Sequence, residues 1–209
     1  MRTRKSAEAR KAEIVDAVLR LSDTRGPDRL TTETVANAVG LTQPGLFRHF
    51  PKKQNLWEAV AGRIGILMET AWTKSQRNKA PAVERIYSLV GAQMRLIQST
   101  PAIPAILFSR ELHTKNKVLR TAFLRLMGRF HRLVTDMVTQ ASEANELSKD
   151  VDPEDVAYLI IGLVQGLAVR WSISGRNFDL AEEGNRLLRL QLSGFTNGQL
   201  TANDERGAQ

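Results

Sequence analysis

The segment LTTETVANAVGLTQPGLFRHF, residues 30 to 50, constrains this chain more than any other, because its punctuation leaves room only for two short helices and a tight turn. Thr31 or Thr32 can accept a backbone N–H as N-cap of a helix reaching Val39, with Val35, Ala36 and Val39 facing inward. Gly40 closes that helix, Leu41 plugs the turn, and Thr42 caps a second helix from Gln43 to His49. Pro44 falls in the first turn, where its missing N–H removes no needed bond, and Phe50 before Pro51 ends the helix. A helix from about Ser6 to Thr24 precedes the pair, with Ile14, Val18 and Leu21 on one face and Gly26-Pro27 as its stop.

Two such helices make a helix-turn-helix, whose second helix can enter the major groove with its N-terminal residues toward the bases. The same shape also serves as an ordinary helical hairpin that never touches DNA. In the DNA-binding reading, the Gln43 amide donates and accepts together, which suits the adenine edge, while Arg48 reaches guanine or a phosphate. Gly45 is the oddity of the segment, since glycine inside a helix costs about 1 kcal/mol relative to alanine. It is either a tolerated weakness or a place where DNA backbone comes too close for a Cβ.

Elsewhere apolar residues recur at helical spacing, as in Leu119, Phe123, Leu126, Phe130, Leu133 and Met137, with no convincing period-two alternation. The chain therefore reads as all-α. Pro81, Pro101, Pro104, Pro153 and Gly175 join the breaks already named to divide it into about nine helices. The polar stretch KSQRNKAP, residues 74 to 81, reads as the loop after the fourth helix. We expect an N-terminal three-helix DNA-binding domain over 1–62, a helical bundle over 63–196, and a polar, disordered tail over 197–209.

Composition narrows the partners. Lys and Arg number 30 against 22 Asp and Glu, a net +8 that fits a polyanionic partner or simply a soluble surface. Its placement says more: Arg2, Arg4, Lys5, Arg10 and Lys11 crowd the first residues against Glu8, and Arg48, Lys52 and Lys53 form a second cluster. With no cysteine, a disulfide framework and a thiolate zinc site are excluded, and a reducing cytoplasm fits best. No export signal is read at the N-terminus. The apolar stretch from Val156 to Val169 is well short of the roughly 20 residues that span a bilayer, so no membrane partner is expected. His49, His113 and His131 show no metal spacing, and no nucleophile–base pair suggests an enzyme, so no cofactor is expected.

The run GPDRLTTETVANAVGLTQPGLFRHFPKKQNLWEAV closely resembles the N-terminal domain of TetR-type regulators. Thr31-Thr32, Val35-Ala36, Gly40-Leu41, Phe47-Arg48-His49-Phe50 and Lys53 followed by Leu56 carry the resemblance, which covers roughly residues 10 to 62. It implies that Thr32, Thr42, His49 and Lys53, with Lys5 upstream, touch phosphates of double-stranded operator DNA, while Gln43, Pro44 and Arg48 lie at base edges. Two positions depart from the family pattern. The usual tyrosine, with its hydroxyl on a phosphate, is Phe47, and the often basic position after the threonine pair is Glu33, which we expect to face solvent.

The resemblance further implies a C-terminal domain that binds a small-molecule effector and pairs its last two helices with a second subunit. The residues agree independently: Val156 to Val169 is apolar nearly all round, and Gly162 and Gly166 lie one turn apart. Leu159, Gly162, Leu163, Gly166 and Leu167, with Leu187, Leu188 and Leu192 of the next helix, are the candidate homodimer seam, unless this is the central core helix of a monomer. Phe108, Phe123, Met127, Phe130, His131 and Trp171 are candidate effector contacts, although such a stripe serves a core equally well. The expected function is a ligand-responsive repressor released from DNA by an apolar or amphipathic effector. A DNA-bound scaffold presenting its bundle to a protein partner is the alternative.

Overall fold

The computed structural model describes residues 6–75 and 79–196, and every regular element among them is helical. Lys5, residues 76–78 of the expected loop and the tail over 197–209 lie outside the described residues. The order is α1 Ala7–Arg25, a 3-10 turn Pro27–Arg29, α2 Thr32–Ala38, α3 Gln43–His49, α4 Lys53–Ser75, α5 Ala82–Ser99, α6 Ala102–Leu107, α7 Arg110–Lys115, α8 Lys117–Glu143, α9 Pro153–Ile173 and α10 Leu180–Ser193.

The helix beyond the nine expected is α7. Ser109 Oγ accepts the Leu112 N–H to start it, and Asn116 breaks it from α8 while its own Oδ1 accepts the Leu119 N–H. Pro104 does not divide the segment before it. It sits in the first turn of α6, where its absent N–H has no intrahelical partner to lose.

The chain forms two compact units, Met1–Leu67 with Thr100–Leu126 and Met68–Ser99 with Met127–Gln209, each considered over its described residues. In the first, Ile14, Val15 and Val18 of α1 share a core with Leu30, Val35, Ala36, Val39, Leu46, Phe50, Leu56 and Val60. Ser6 caps α1 by accepting from Ala9, and Gly26 stops it with φ +80°. The Asp28 carboxylate accepts a hydrogen bond from the Ser109 hydroxyl, tying the 3-10 turn to the start of α7.

In the second unit, α5 buries Ile86, Leu89, Val90, Met94 and Ile97, a helical stripe that meets Leu180, Gly184, Leu188 and Leu192 of α10. Gly184 eases this docking, because a Cβ there would make the flexible end of Met94 shift. It would lie 2.7 Å from Met94 Cε, closer than real side chains approach. Trp72 Nε1 donates to Gln93 Oε1 at 2.7 Å, and its ring lies 5.3 Å from that of Phe130, so this buried indole N–H finds a partner inside the apolar core. Asp152 caps α9 and Pro153 opens it.

α9 has 21 residues, long and apolar enough by length and composition to cross a membrane, whereas the shorter run from Val156 to Val169 suggested otherwise. Its Val156, Ala157, Ile160, Val164, Leu167, Ala168 and Trp171 are nevertheless buried within the protein, where the helix meets α5 and α10.

One distant cap holds this unit together. The Glu146 carboxylate accepts from the backbone N–H of Ala82 at 3.0 Å and of Val83 at 2.8 Å, satisfying donors at the start of α5 that have no helical partner. Glu146→Ala is expected to destabilise the fold by about 1–3 kcal/mol, with Glu146→Gln recovering part of the loss because its amide oxygen still accepts. Thermal denaturation of the two variants checks this, at roughly 2–4 °C per kcal/mol for a chain of this size.

Candidate nucleic-acid interface

Short helices need their ends satisfied, and both helices of the turn have threonine caps. Thr31 Oγ1 accepts from Thr34 N at 3.0 Å and Thr42 Oγ1 from Gly45 N at 3.2 Å. Between them Gly40 takes φ +65°, a conformation that costs a residue with a Cβ about 1–2 kcal/mol. Its N–H donates to Asn37 O, and the next N–H, from Leu41, donates to Ala36 O at 2.9 Å. The chain thus reverses within a few residues, as the sequence predicts.

The rotation of α3 is set by what it buries. Leu46 is 1% exposed and Phe50 5%, both in the core of the first unit. On a helix, residues 43, 44, 47 and 48 fall together on the other side. Gln43, Pro44, Phe47 and Arg48 are accordingly all exposed, and Phe47, at 37%, is a half-open ring and no part of the core. Thr42 is exposed, His49 half-buried, and Glu33 exposed as expected. A Cβ on Gly45 would meet only its own cap, Thr42 Oγ1 at 3.3 Å, and Leu41 at 3.8 Å. Packing within the chain therefore asks for glycine only weakly.

Two contacts were not anticipated. Gln43 Nε2 donates to Thr32 Oγ1 at 2.7 Å, linking the first residues of α3 and α2. Lys53 Nζ donates to Leu30 O at 2.8 Å, which leaves two of the ammonium's three donors for another acceptor. Lys53 also borders a concavity of about 190 Å³ whose wall includes Asp28, Trp57, Glu111 and Lys115. The Lys115 ammonium beside Glu111 holds that carboxyl below its usual range, first by hydrogen bonding and then by charge, with Lys53 adding in the same direction.

The candidate effector residues are divided between the two units. Phe108 and Phe123 belong to the first unit, and Met127, Phe130, His131 and Trp171 to the second. Phe108 and Met127 are exposed. Phe123 is buried with its ring edge-on to His113, and Trp171 is buried with its N–H donated to Phe178 O. The His131 ring lies 4.5 Å from that of Tyr158, and its Nε2 is buried with no hydrogen-bond partner.

The candidate seam divides in two. Leu167, Leu188 and Leu192 are taken up by the chain's own core, because they lie on the faces by which α9, α10 and α5 pack. Leu159, Gly162, Leu163, Gly166 and Leu187 border or face open space, and Cβ atoms on the two glycines would meet nothing. Tyr158 and Leu190 complete this apolar face, and Ile173, 82% exposed, stands at the end of the same helix. Sequence reasoning missed these three; for Tyr158 and Ile173 the reason is that α9, apolar nearly all round, carries no phase signal.

A helix-turn-helix with its second helix exposed, in a chain whose described residues are otherwise helical, has the form of a DNA-binding regulator, and its family match identifies it as one. The profile of "Bacterial regulatory proteins, tetR family" matches residues 14–60, and that of "Tetracyclin repressor-like, C-terminal domain" matches residues 82–182. The chain belongs to the tetR family of DNA-binding transcription regulators, whose members typically form homodimers and bind small-molecule effectors.

Among proteins similar to it, the nucleoid occlusion factor SlmA of Vibrio atlanticus is 28% identical over 168 residues, covering 78% of this chain and 83% of that one. The fatty acid degradation regulator FadR from Bacillus halodurans has a similar structure, with TM-score 0.76 at 16% identity, over 92% of this chain and 98% of that one. FadR from Bacillus subtilis, in complex with stearoyl-CoA, gives 0.74 at 17% identity, over 88% and 98%.

The exposure of Phe47 generates a direct test. A hydroxyl added to a half-open ring is not stranded in the core, so Phe47→Tyr should leave the melting temperature unchanged. It should also tighten DNA binding, because a hydrogen bond to a phosphate oxygen is worth roughly 1.5–3 kcal/mol at best. Paired melting and DNA-affinity measurements check both halves. A lower melting temperature without a gain in affinity would place the ring away from DNA.

Proposed function

We propose that the chain is a dimeric, ligand-responsive repressor of the cytoplasm that holds a pseudo-palindromic operator through α3 of each subunit. The observation that carries this reading is the open row Gln43, Pro44, Phe47 and Arg48, exposed while Leu46 of the same helix and Phe50 just beyond it are buried. In this reading residues 1–62 read DNA, with Gln43, Pro44 and Arg48 at base edges. Lys5, Thr32, Thr42, His49 and Lys53 touch phosphates, and Gly45 admits the DNA backbone closely. Residues 63–196 bind the effector and the second subunit.

The open apolar face of α9 and α10 supports the dimer, because an exposed surface of that kind on a regulatory protein is more stable covered by its own two-fold copy. The buried, unpartnered Nε2 of His131 supports an effector site in the bundle, since a ligand donor or acceptor would satisfy it. The stearoyl-CoA of the Bacillus subtilis relative makes a long acyl-CoA the first probe. Such a molecule acts as an inducer only if it binds the DNA-free arrangement more tightly than the DNA-bound one.

The curated relatives named as nucleoid occlusion factors favour a second reading, in which the DNA-bound bundle is presented to a protein partner. Effector titration separates the two. A repressor leaves its site as acyl-CoA or a related amphiphile is added, whereas a scaffold stays bound and gains a protein.

Selection from random duplex DNA, followed by footprinting, should yield two half-sites with centres roughly 34–36 Å apart. On that site Gln43→Ala should abolish preference at one base pair of each half-site, at about 1–3 kcal/mol, while equal loss on every sequence would reassign the residue to backbone positioning. Leu163→Lys should place unpaired ammonium groups in the seam and dissociate the dimer in sedimentation, with DNA affinity falling alongside. An intact dimer would locate the interface elsewhere.

A further inference from the structure

Gln43 and Thr32 open two different helices, yet their side chains meet across the turn with Nε2 to Oγ1 at 2.7 Å. Neither is spent on holding its helix. Thr31 caps α2 and also pairs with Thr34 Oγ1 at 2.8 Å, while Thr42 caps α3. The Thr32 hydroxyl is therefore free of structural duty among the threonines of this turn, and its hydrogen bond to Gln43 has the amide as donor.

A glutamine on an open helix face is an ambiguous reader. Its long side chain rotates freely, and its amide presents an oxygen and an N–H₂ group that exchange places on a half-turn. Two N–H groups turned to the groove would suit the acceptor pair of guanine, N7 and O6. One N–H beside the carbonyl oxygen suits the acceptor and donor of adenine, N7 and N6. Which face is shown depends on what holds the other end of the amide. In this structure the amide nitrogen is held by Thr32 Oγ1; with the N–H anti to Oε1 engaged there, the other N–H and Oε1 are the adjacent pair that matches adenine.

We infer that Thr32 is a positioning residue that fixes the amide of Gln43 and thereby sets the base it reads as adenine. The inference rests on the reading of α3 as the recognition helix. It also explains why the amide is oriented nitrogen-first. A Thr32 O–H donated to a phosphate oxygen leaves the hydroxyl only its acceptor side, which an amide nitrogen can use and an amide oxygen cannot. Backbone contact and base choice then join in one chain of hydrogen bonds, from N–H to hydroxyl to phosphate.

The test uses the full chain and the site selected from a pool of random duplex DNA, with all four base pairs placed in turn at the position that Gln43→Ala identifies. The parent protein should prefer adenine there by about tenfold or more, the usual range of a bidentate contact. Thr32→Val keeps the branched shape and removes the hydroxyl, and should cut that preference to about threefold or less, with guanine gaining most. Thr32→Ser should restore it, and Thr32→Ala should repeat the loss should the valine variant melt early. Preference unchanged in Thr32→Val and Thr32→Ala, with all four duplexes weakened alike, would overturn the inference and leave Thr32 a phosphate contact only. A Gln43→Ala protein with no altered preference anywhere is a separate failure, that of α3 as the reader.

Discussion

The turn at Gly40 is the constraint on which the exposed face of α3 depends. A positive φ there allows the Leu41 N–H to bond back to Ala36, so that α2 stops and Thr42 is placed to start the next helix without an intervening loop. Leu46 and Phe50 then choose the rotation. Burying each contributes about 1.5–3 kcal/mol, while rotation by one residue would exchange Leu46 for the half-open Phe47 and drive Arg48 toward the core. Burial thus penalises every other phase. A backbone rule of a few residues and the burial of apolar side chains leave Gln43, Pro44, Phe47 and Arg48 outside, with Gln43 further held by its hydrogen bond to Thr32.

Much of this was legible because the rules act locally. Thr31 and Thr42 as caps, Gly40 as the turn, Pro44 in a first turn and Phe50 before Pro51 are each decided within four residues of chain. The contacts that were not legible join residues far apart. Glu146 reaches back to Ala82 and Val83, Lys53 to Leu30, and Gln43 to Thr32, and no spacing announces any of them. Gly184 is of the same kind, since its advantage appears only once Met94 of another helix is against it. The short α7 escaped notice because a serine cap and an asparagine break are weak signals beside prolines that turned out to be harmless.

Helical periodicity also has a blind spot, which α9 exposes. On α5 the apolar residues keep to one stripe, so its inward face could be read from spacing alone. On α9 both faces are apolar: Ile160, Val164 and Leu167 turn in while Tyr158, Leu159 and Ile173 turn out. Composition could say that such a helix needs covering on two sides, and only packing could say which residues go to which side. Leu188 and Leu192 illustrate the same limit on α10, where they belong to the contact with α5 while Leu190 stands open. The assignment of a seam from apolar content alone is therefore half an answer.

The residues around α3 also break several local rules at once, and the violations share a direction. Gly45 weakens a seven-residue helix although only a cap oxygen lies near its missing Cβ. Phe47 leaves part of its ring in water, where a polar residue would cost less. Lys53 places a cation at the N-terminus of α4, the end where the helix dipole favours an anion, with no acidic residue in that first turn. A fold selected for stability alone would correct the first two cheaply, with alanine and a polar side chain, whereas glutamate in place of Lys53 would suit the helix dipole but forfeit the hydrogen bond to Leu30 O. The corrections would add bulk at Gly45, remove an apolar edge at Phe47 and cancel a positive charge at Lys53. Under the proposed reading, a polyanion brought to α3 would offset these costs, since it would approach closely at Gly45, offer apolar sugar and base surface to the Phe47 ring, and be attracted by Lys53. In that reading the local costs in the free chain share one remedy, because a single bound nucleic acid would offset each of them.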